Sequence, residues 1–304
     1  AYESRLGLVG SEMCIRDRVY LNGVKMFAVR FALLSAFFYA LNVSMVPFIY
    51  SLGISAFFFL FLRFGITFVM SLVITKSLFS FTKIKQQGLG HWLILLTLLY
   101  GIQSWLFVEA VKYMPVGLAS VALYTYPLIT YLMDCFTKSK VLDLTTIMMF
   151  VLAIIGIGAL SQGSDGIQSL VVGLGLALLS ATTLAIIFHF TPKVSGMRNW
   201  EIVKYTTLLP ALAFMALFLF EGGSFLPFTN AVLWCLLAGI LFSVGMFFYY
   251  TAIKKYGPTR TANIGYSEPL IVLIIGFIAY TDTITLMQYI GIVLVGIAST
   301  TIER

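Results

Sequence analysis

The sequence reads as an all-α integral membrane protein whose ten transmembrane helices form two inverted five-helix repeats. Three observations carry that expectation. Of 304 residues, 60% are apolar and 10% charged, against roughly 25% charged in a soluble domain, and the mean hydropathy is +1.00. The apolar residues gather into ten runs of about the 20 residues a bilayer requires. The connections between those runs alternate between basic and nearly uncharged.

The predicted spans are Phe27–Phe48, Ser55–Leu78, Trp92–Tyr113, Val116–Phe136, Leu142–Leu160, Ser169–Thr191, Val203–Phe220 (the shortest), Ala231–Ile253, Thr259–Tyr280 and Ile284–Thr301. Short connections make neighbours antiparallel and leave no room for a separate soluble domain. With the N-terminus in the cytoplasm, that side receives Lys25, Arg30, Lys76, Lys83, Lys85, Lys138, Lys140, Lys193, Arg198, Lys204, Lys254, Lys255, Arg260 and Arg304. The other side receives Lys112, with Asp165, Glu221 and Asp282. Basic loops face the cytoplasm, so the split predicts a multi-pass protein of the cell (inner) membrane with both termini cytoplasmic. A miscount by one span would scramble it.

Residues 1–25 stand apart. Leu6–Val9 is too short for the core of a signal peptide. The stretch SEMCIRDR resembles translated sequencing-adapter read-through, and Met26 directly precedes the first long apolar run. This segment is expected to be a disordered or non-native tail. The first repeat is assigned to residues 26–162 and the second to 163–304.

The repeat itself shows in Val111–Ile129 and Ile253–Ile271. Each has a basic turn, then a Tyr, a Pro two residues on and an Ala four residues after that: Tyr113, Pro115, Ala119 and Tyr256, Pro258, Ala262. Each closes on Tyr-x-x-Pro-Leu-Ile, through Tyr124 and Pro127 or Tyr266 and Pro269, after a shift of one residue. The copies fall on spans four and nine. Five spans of separation is odd, so the copies cross in opposite directions, as in carriers whose site lies near the midplane between inverted halves. A proline inside a helix strips the carbonyl four residues earlier of its donor, so Pro127 and Pro269 are candidate hinges as well as structural kinks.

These motifs are similar to those of the drug/metabolite transporter superfamily, in particular its EamA-type permeases, over about residues 27–301. The likeness rests on Tyr256-Gly257-Pro258 with Ala262, on Pro269-Leu270-Ile271, on Asp282 and on the closing QYIGIVLVGI of residues 288–297. In the first half it rests on Leu62-Arg63-Phe64 and on Ala119 to Pro127. Two departures stand out: Lys138 and Lys140 occupy the fourth-to-fifth turn, where an acidic residue is usual, and Asp282 replaces a usual Glu. The resemblance implies a secondary transporter that exports or exchanges small metabolites, amino acids first, by alternating access. Nucleotide-sugar or phosphorylated-metabolite exchange is the alternative within the superfamily. A membrane-embedded enzyme and a structural membrane protein are the alternatives outside it.

A charge within the bilayer is costly, so each one points to a role. Arg63, eight residues into span two, is expected to clamp helices, pair with a carboxylate or bind an anionic substrate group. Glu268, directly before Pro269, is a candidate coupling site for protons, a partner for Arg63, or a seat for a cation. Glu109 and Lys112 share a helix face and read as interfacial, as does Asp134; His189, near the cytoplasmic end of span six, reads as wet or structural in preference to a proton relay. Asn42, Gln103, Thr182, Thr183 and Asn263 lie within spans, where amides and hydroxyls bridge helices or face a cavity. Trp105, Tyr124, Tyr126, Tyr249 and Tyr266 are candidates for an amphipathic wall around a small metabolite. The predicted substrate set is therefore Asn42, Arg63, Gln103, Trp105, Tyr124, Tyr126, Tyr249, Asn263, Tyr266 and Glu268.

Other chemistries find little support. Cys14, Cys135 and Cys235 have no metal-type spacing, and His91 and His189 are far apart in sequence, so no metal, disulfide or cofactor is expected. No phosphate-binding loop is present. The net charge of +7 is scattered in ones to threes between apolar runs, which argues for lipid contact and against nucleic acid. The glycines Gly156, Gly158, Gly173, Gly175, Gly291 and Gly296 suit close helix packing. Ten spans suffice for a complete carrier, as monomer or homodimer.

Overall fold

A computed structural model describes residues 29–76, 88–138, 144, 147–148, 151–152, 155–156, 167–223, 230–257, 261, 264–265, 267–280 and 285–301. Residues 1–25, most of the fifth predicted span, Asp165, Asp282, Asn263 and Tyr266 lie outside them. Every regular element among the described residues is helical: α1 Val29–Ser51, α2 Ala56–Thr75, α3 Gly90–Ala110, α4 Val116–Leu123, α5 Tyr126–Lys138, α6 Ile167–Phe190, α7 Asn199–Phe220, α8 Asn230–Tyr256, α9 Ser267–Tyr280 and α10 Leu286–Thr301. Among the described residues seven segments are long and apolar enough to cross a membrane, with α4 and the start of α5 forming one of them as Val116–Met133. Helices α9 and α10 are shorter and sit where the ninth and tenth spans are predicted. The molecule is a multi-span membrane protein.

Local chemistry sets the boundaries. Between α1 and α2, Gly53 takes a left-handed φ of 76°, open to glycine without a Cβ penalty. Its N–H bonds Tyr50 O (2.9 Å), and the Ser55 hydroxyl then caps α2 by accepting from Phe58 N (3.3 Å). That tight turn makes the first two spans antiparallel. The seventh span is longer than the sequence suggests, starting at Asn199 instead of Val203. Its added turn is polar and so escapes a hydropathy reading. Glu201 holds it by accepting from Arg198 N (3.3 Å) and from the Arg198 guanidinium (2.7 Å), a carboxylate placed where a helix start favours one.

The fourth span is interrupted. Helix α4 ends at Leu123, and Tyr124 and Thr125 form a turn in which Thr125 N bonds Ala122 O (3.2 Å). Helix α5 resumes with Pro127 in its first turn. A second interruption lies in α1, where Met45 leaves the helical pattern ahead of Pro47 and Met45 N bonds Asn42 O in a tighter turn (3.3 Å). Pro127 and Pro269 are both buried.

Packing relies on small residues, because apolar side chains gain nothing by leaving lipid for protein. A Cβ on Gly239 of α8 would stand 2.9 Å from Ile66 Cβ and 3.4 Å from Arg63 Cα on α2. One on Gly117 of α4 would meet Leu273 of α9 at 2.6 Å, and one on Gly245 of α8 would meet the Tyr39 ring of α1 at 3.1 Å. The main pairings are α2 with α7, α3 with α6, α2 with α8, α3 with α7, α5 with α6, α4 with α9 and α4 with α6. Helices α1 and α8 are joined by the bonds Ser35 Oγ to Gly245 O (3.0 Å) and Asn42 Nδ2 to Ala238 O (2.7 Å). Helix α9 is tied to α1 by a bond from the Tyr280 hydroxyl to Ser44 O.

Basic residues gather at one end of the bundle. The Lys254 ammonium bonds Met197 O, Lys193 lies 5.8 Å from the Trp92 ring centre, and Lys255 lies 4.9 Å from that of Phe31. At the other end Lys112 pairs with Glu109 (2.7 Å) and faces Tyr50 (5.5 Å).

Candidate functional site

The helix interruptions surround a cavity in the middle of the bundle. It offers about 100 Å³ to the centre of a water molecule. One water needs roughly 10–15 Å³ by that measure, so the space suits several waters or one small solute. Its lining draws on α1 to α6, α8 and the start of α9, with Tyr124 from the turn after α4 and Thr261 and Gly265 from ahead of α9. Seven predicted site residues converge on it: Asn42, Arg63, Gln103, Tyr124, Tyr126, Tyr249 and Glu268.

Arg63 reaches the cavity from α2 and is 4% exposed. It is flanked by the rings of Phe59, Phe64 and Phe242, whose centres lie 5.5, 5.3 and 4.5 Å from its guanidinium carbon. Its Nη1 makes a long hydrogen bond to Asn42 Oδ1 (3.4 Å). Its Nε has no acceptor. Ring faces attract a guanidinium but accept no strong hydrogen bond, so donor capacity remains. Asn42 is itself oriented by donating to the α8 backbone, which fixes its oxygen toward Arg63.

Glu268, 7% exposed, faces the same cavity. Its Oε2 accepts from the Tyr124 hydroxyl at 2.6 Å, a bond carried by the turn that interrupts span four. Gly265 lies beside it, with both the Tyr124 and Tyr126 hydroxyls 3.5 Å from where a Cβ would be, an ordinary contact. The pairing of Arg63 with Glu268 that the sequence left open does not form. Among the described residues the ion pairs are Lys112–Glu109 and Arg198–Glu201. Among the described residues the cavity thus holds one cation and one carboxylate, which do not neutralise each other directly.

An aromatic wall completes the lining. Tyr126 packs against Tyr124 (5.4 Å) and Phe188 (4.7 Å), and Tyr249 against Phe188 (5.2 Å) and Tyr39 (6.4 Å). Sequence reasoning missed Tyr39, Tyr100, Phe188 and Phe242 as lining residues. The spacing Ala32, Ser35, Ala36, Tyr39, with Asn42 and Val43 beyond, is one helix face of small and polar residues and was the available signal. Pro47, close after Asn42, was another.

Other predicted residues fall elsewhere. Gln103 lines the cavity but also bridges α3 to α6, its Nε2 donating to Ser180 Oγ (3.2 Å). Thr182 and Thr183 bond carbonyls of their own helix (2.9 Å each). His189 packs on Phe190 (5.0 Å), and Glu109 pairs with Lys112 at the bundle end. The Asp134 side chain, Asn263 and Tyr266 lie outside the described residues. Trp105 also lies elsewhere. It does not face the cavity but lines a cleft of about 410 Å³ with Phe57, Leu98, Gly101 and Pro210. Five positions after Tyr100 and two after Gln103, it falls on another helix face. The cleft is larger than the cavity, but its rim residues Leu98, Ile102 and Leu209 are 46–49% exposed, and its one lining hydroxyl, Thr97, is bonded to Leu93 O (2.6 Å). In a spanning protein such a surface meets lipid tails. Trp105→Ala is therefore expected to leave ligand affinity within about twofold of the unaltered protein, as for changes remote from a site, measured by titration of the purified protein.

Comparison with known proteins agrees with this architecture. The model of the family described as "EamA-like transporter family" matches twice, over residues 26–162 and 171–303. No curated protein matches the sequence. A solved structure described only as "Crystal structure of protein" is similar in fold, with a TM-score of 0.64 at 16% identity, covering 89% of this chain and 96% of that one.

Proposed function

The chain belongs to the EamA-like transporter family, and on that premise we propose that it is a secondary transporter of small metabolites, amino acids or related compounds, which it exports or exchanges by alternating access. The observation that carries this reading is the buried cavity in which Arg63 and Asn42 from the first family match face Glu268 from the second. A hollow large enough for a small solute, holding a buried guanidinium and a buried carboxyl deep between apolar helices, has no packing purpose, since such groups are expensive there.

The helix pairings support two inverted halves. Advancing each span number by five turns the contact of spans three and six (α3, α6) into that of eight and one (α8, α1). It turns two and eight (α2, α8) into seven and three (α7, α3), and four and six (α4, α6) into nine and one (α9, α1). The pairs two–seven and four–nine map onto themselves. The two family matches fall on the same halves. In this reading the basic end of the bundle is cytoplasmic, as are both termini, and the membrane is the cell (inner) membrane.

A phosphorylated or nucleotide-bearing substrate is less well served, because among the described lining residues Arg63 is the one cation. A metabolite-panel thermal-shift screen on the purified protein tests the proposal. A ligand that binds only the folded state raises its stability, by about 2.7 kcal/mol at a hundredfold excess over Kd. A panel of amino acids, organic acids, amines and sugars that leaves the unfolding midpoint unmoved contradicts it. Proton coupling through Glu268 is a separate element. It predicts that Glu268→Gln in proteoliposomes loses the response of transport to a pH gradient, and an unchanged response removes coupling.

A further inference from the structure

Two buried ionisable groups, the Arg63 guanidinium and the Glu268 carboxyl, face one cavity, and neither satisfies the other. Arg63 keeps an Nε donor without an acceptor and one long bond to Asn42. Among the described residues, Glu268 receives one hydrogen bond, from Tyr124. Removing either charge from water without a partner is costly, and a ligand with a single charge relieves only one of the two. A ligand with both relieves both. We propose that the cavity holds a zwitterion whose anionic group lies against Arg63 and Asn42 and whose ammonium group lies against Glu268. The polarity of the ligand is fixed by these residues, and the aromatic wall of Tyr39, Tyr126, Phe188 and Tyr249 takes its apolar part.

This deepens the transporter reading and rests on it. It adds a physical reason for the halves to act together. Arg63 lies in residues 26–162 and Glu268 in residues 171–303, so one zwitterion bridges the two matches. A ligand missing either charge holds one half only.

The test uses the full-length purified protein and the twenty proteinogenic L-amino acids as probes. The probe giving the largest thermal shift is then compared with its deaminated acid and its decarboxylated amine, neither bulkier than the parent. Each analogue is expected to bind at least about tenfold more weakly than the parent, the loss of one charge-assisted hydrogen bond. Arg63→Gln is expected to bring the parent down to the affinity of the amine while leaving the amine unchanged. Glu268→Gln is expected to bring the parent down to the affinity of the acid. A merely structural Arg63 would weaken all three ligands alike, and that outcome overturns the assignment. So does an analogue that binds as tightly as the parent, a result obtained on the unaltered protein even where a variant fails to fold. If no amino acid binds while a neutral or singly charged metabolite does, the zwitterion site is wrong and the transporter reading stands. If nothing in either set binds, both fall.

Discussion

Arg63→Met is expected to leave the ligand-free protein as stable as the unaltered one or more so, while lowering transport about a hundredfold or further. Arg63 sits among Phe59, Phe64 and Phe242 with one long hydrogen bond, an unsatisfied Nε and no carboxylate in reach among the described residues. Replacing a buried ionic group by an apolar side chain of like volume is often neutral or stabilising by about 1–4 kcal/mol. Methionine suits the phenylalanine-lined space through its flexible thioether. Loss of the guanidinium at the same time leaves the ligand's anionic group and the Asn42 oxygen without a donor. Opposite signs for stability and transport are what distinguish a binding residue from a clamp. The measurements are the unfolding midpoint without ligand and the uptake rate in proteoliposomes. A large fall in the midpoint assigns Arg63 to holding α2 in place.

Gly239→Val is expected to destabilise the protein by about 1–3 kcal/mol, the usual cost of forcing extra methyl groups into a packed contact. The new Cβ would stand 2.9 Å from Ile66 Cβ and 3.4 Å from the Arg63 backbone, positions that no rotamer change can clear. Gly239→Ala is the milder case, since alanine regains up to about 1 kcal/mol of helix preference. The contact is also cross-linked. Ser243 Oγ lies 2.6 Å from Gly239 O and 2.8 Å from Thr67 Oγ1, its one proton shared between the two acceptors, and Thr67 Oγ1 donates to Arg63 O (2.8 Å). Prising α2 from α8 therefore displaces Arg63 itself, and ligand binding should fall together with the unfolding midpoint. Retained affinity in a destabilised variant would show that the position of Arg63 does not depend on this contact.

The sequence was most informative where physics leaves few choices. Long apolar runs separated by alternating charge have one reading in water and lipid, so the helices among the described residues were legible to within a turn or so at their ends. Arg63 and Glu268 stood out because charge is rare in such runs. Tyr124 and Tyr126 stood out because they precede a proline that recurs in both halves. The remainder depended on which face of a helix looks inward, and uniformly apolar helices carry almost no such signal. Trp105 and Tyr100 share α3, and nothing in their chemistry says which one meets lipid. The added first turn of α7 was missed for the opposite reason: Asn199, Trp200 and Glu201 are interfacial, and a count of apolar residues stops short of them. That Arg63 and Glu268 would share a cavity without pairing is a matter of tenths of a nanometre between helices, which spacing along the chain does not encode.

In the proposed transport cycle the cavity between the two halves is the binding site of a carrier, opened to one side at a time. Solute counterflow in proteoliposomes tests it most directly, using vesicles preloaded with the unlabelled amino acid that gives the largest thermal shift and an external tracer of the same compound. The account predicts transient accumulation of tracer above its external concentration, abolished by Arg63→Met. Simple equilibration without overshoot, or accumulation that persists unchanged in that variant, would contradict it.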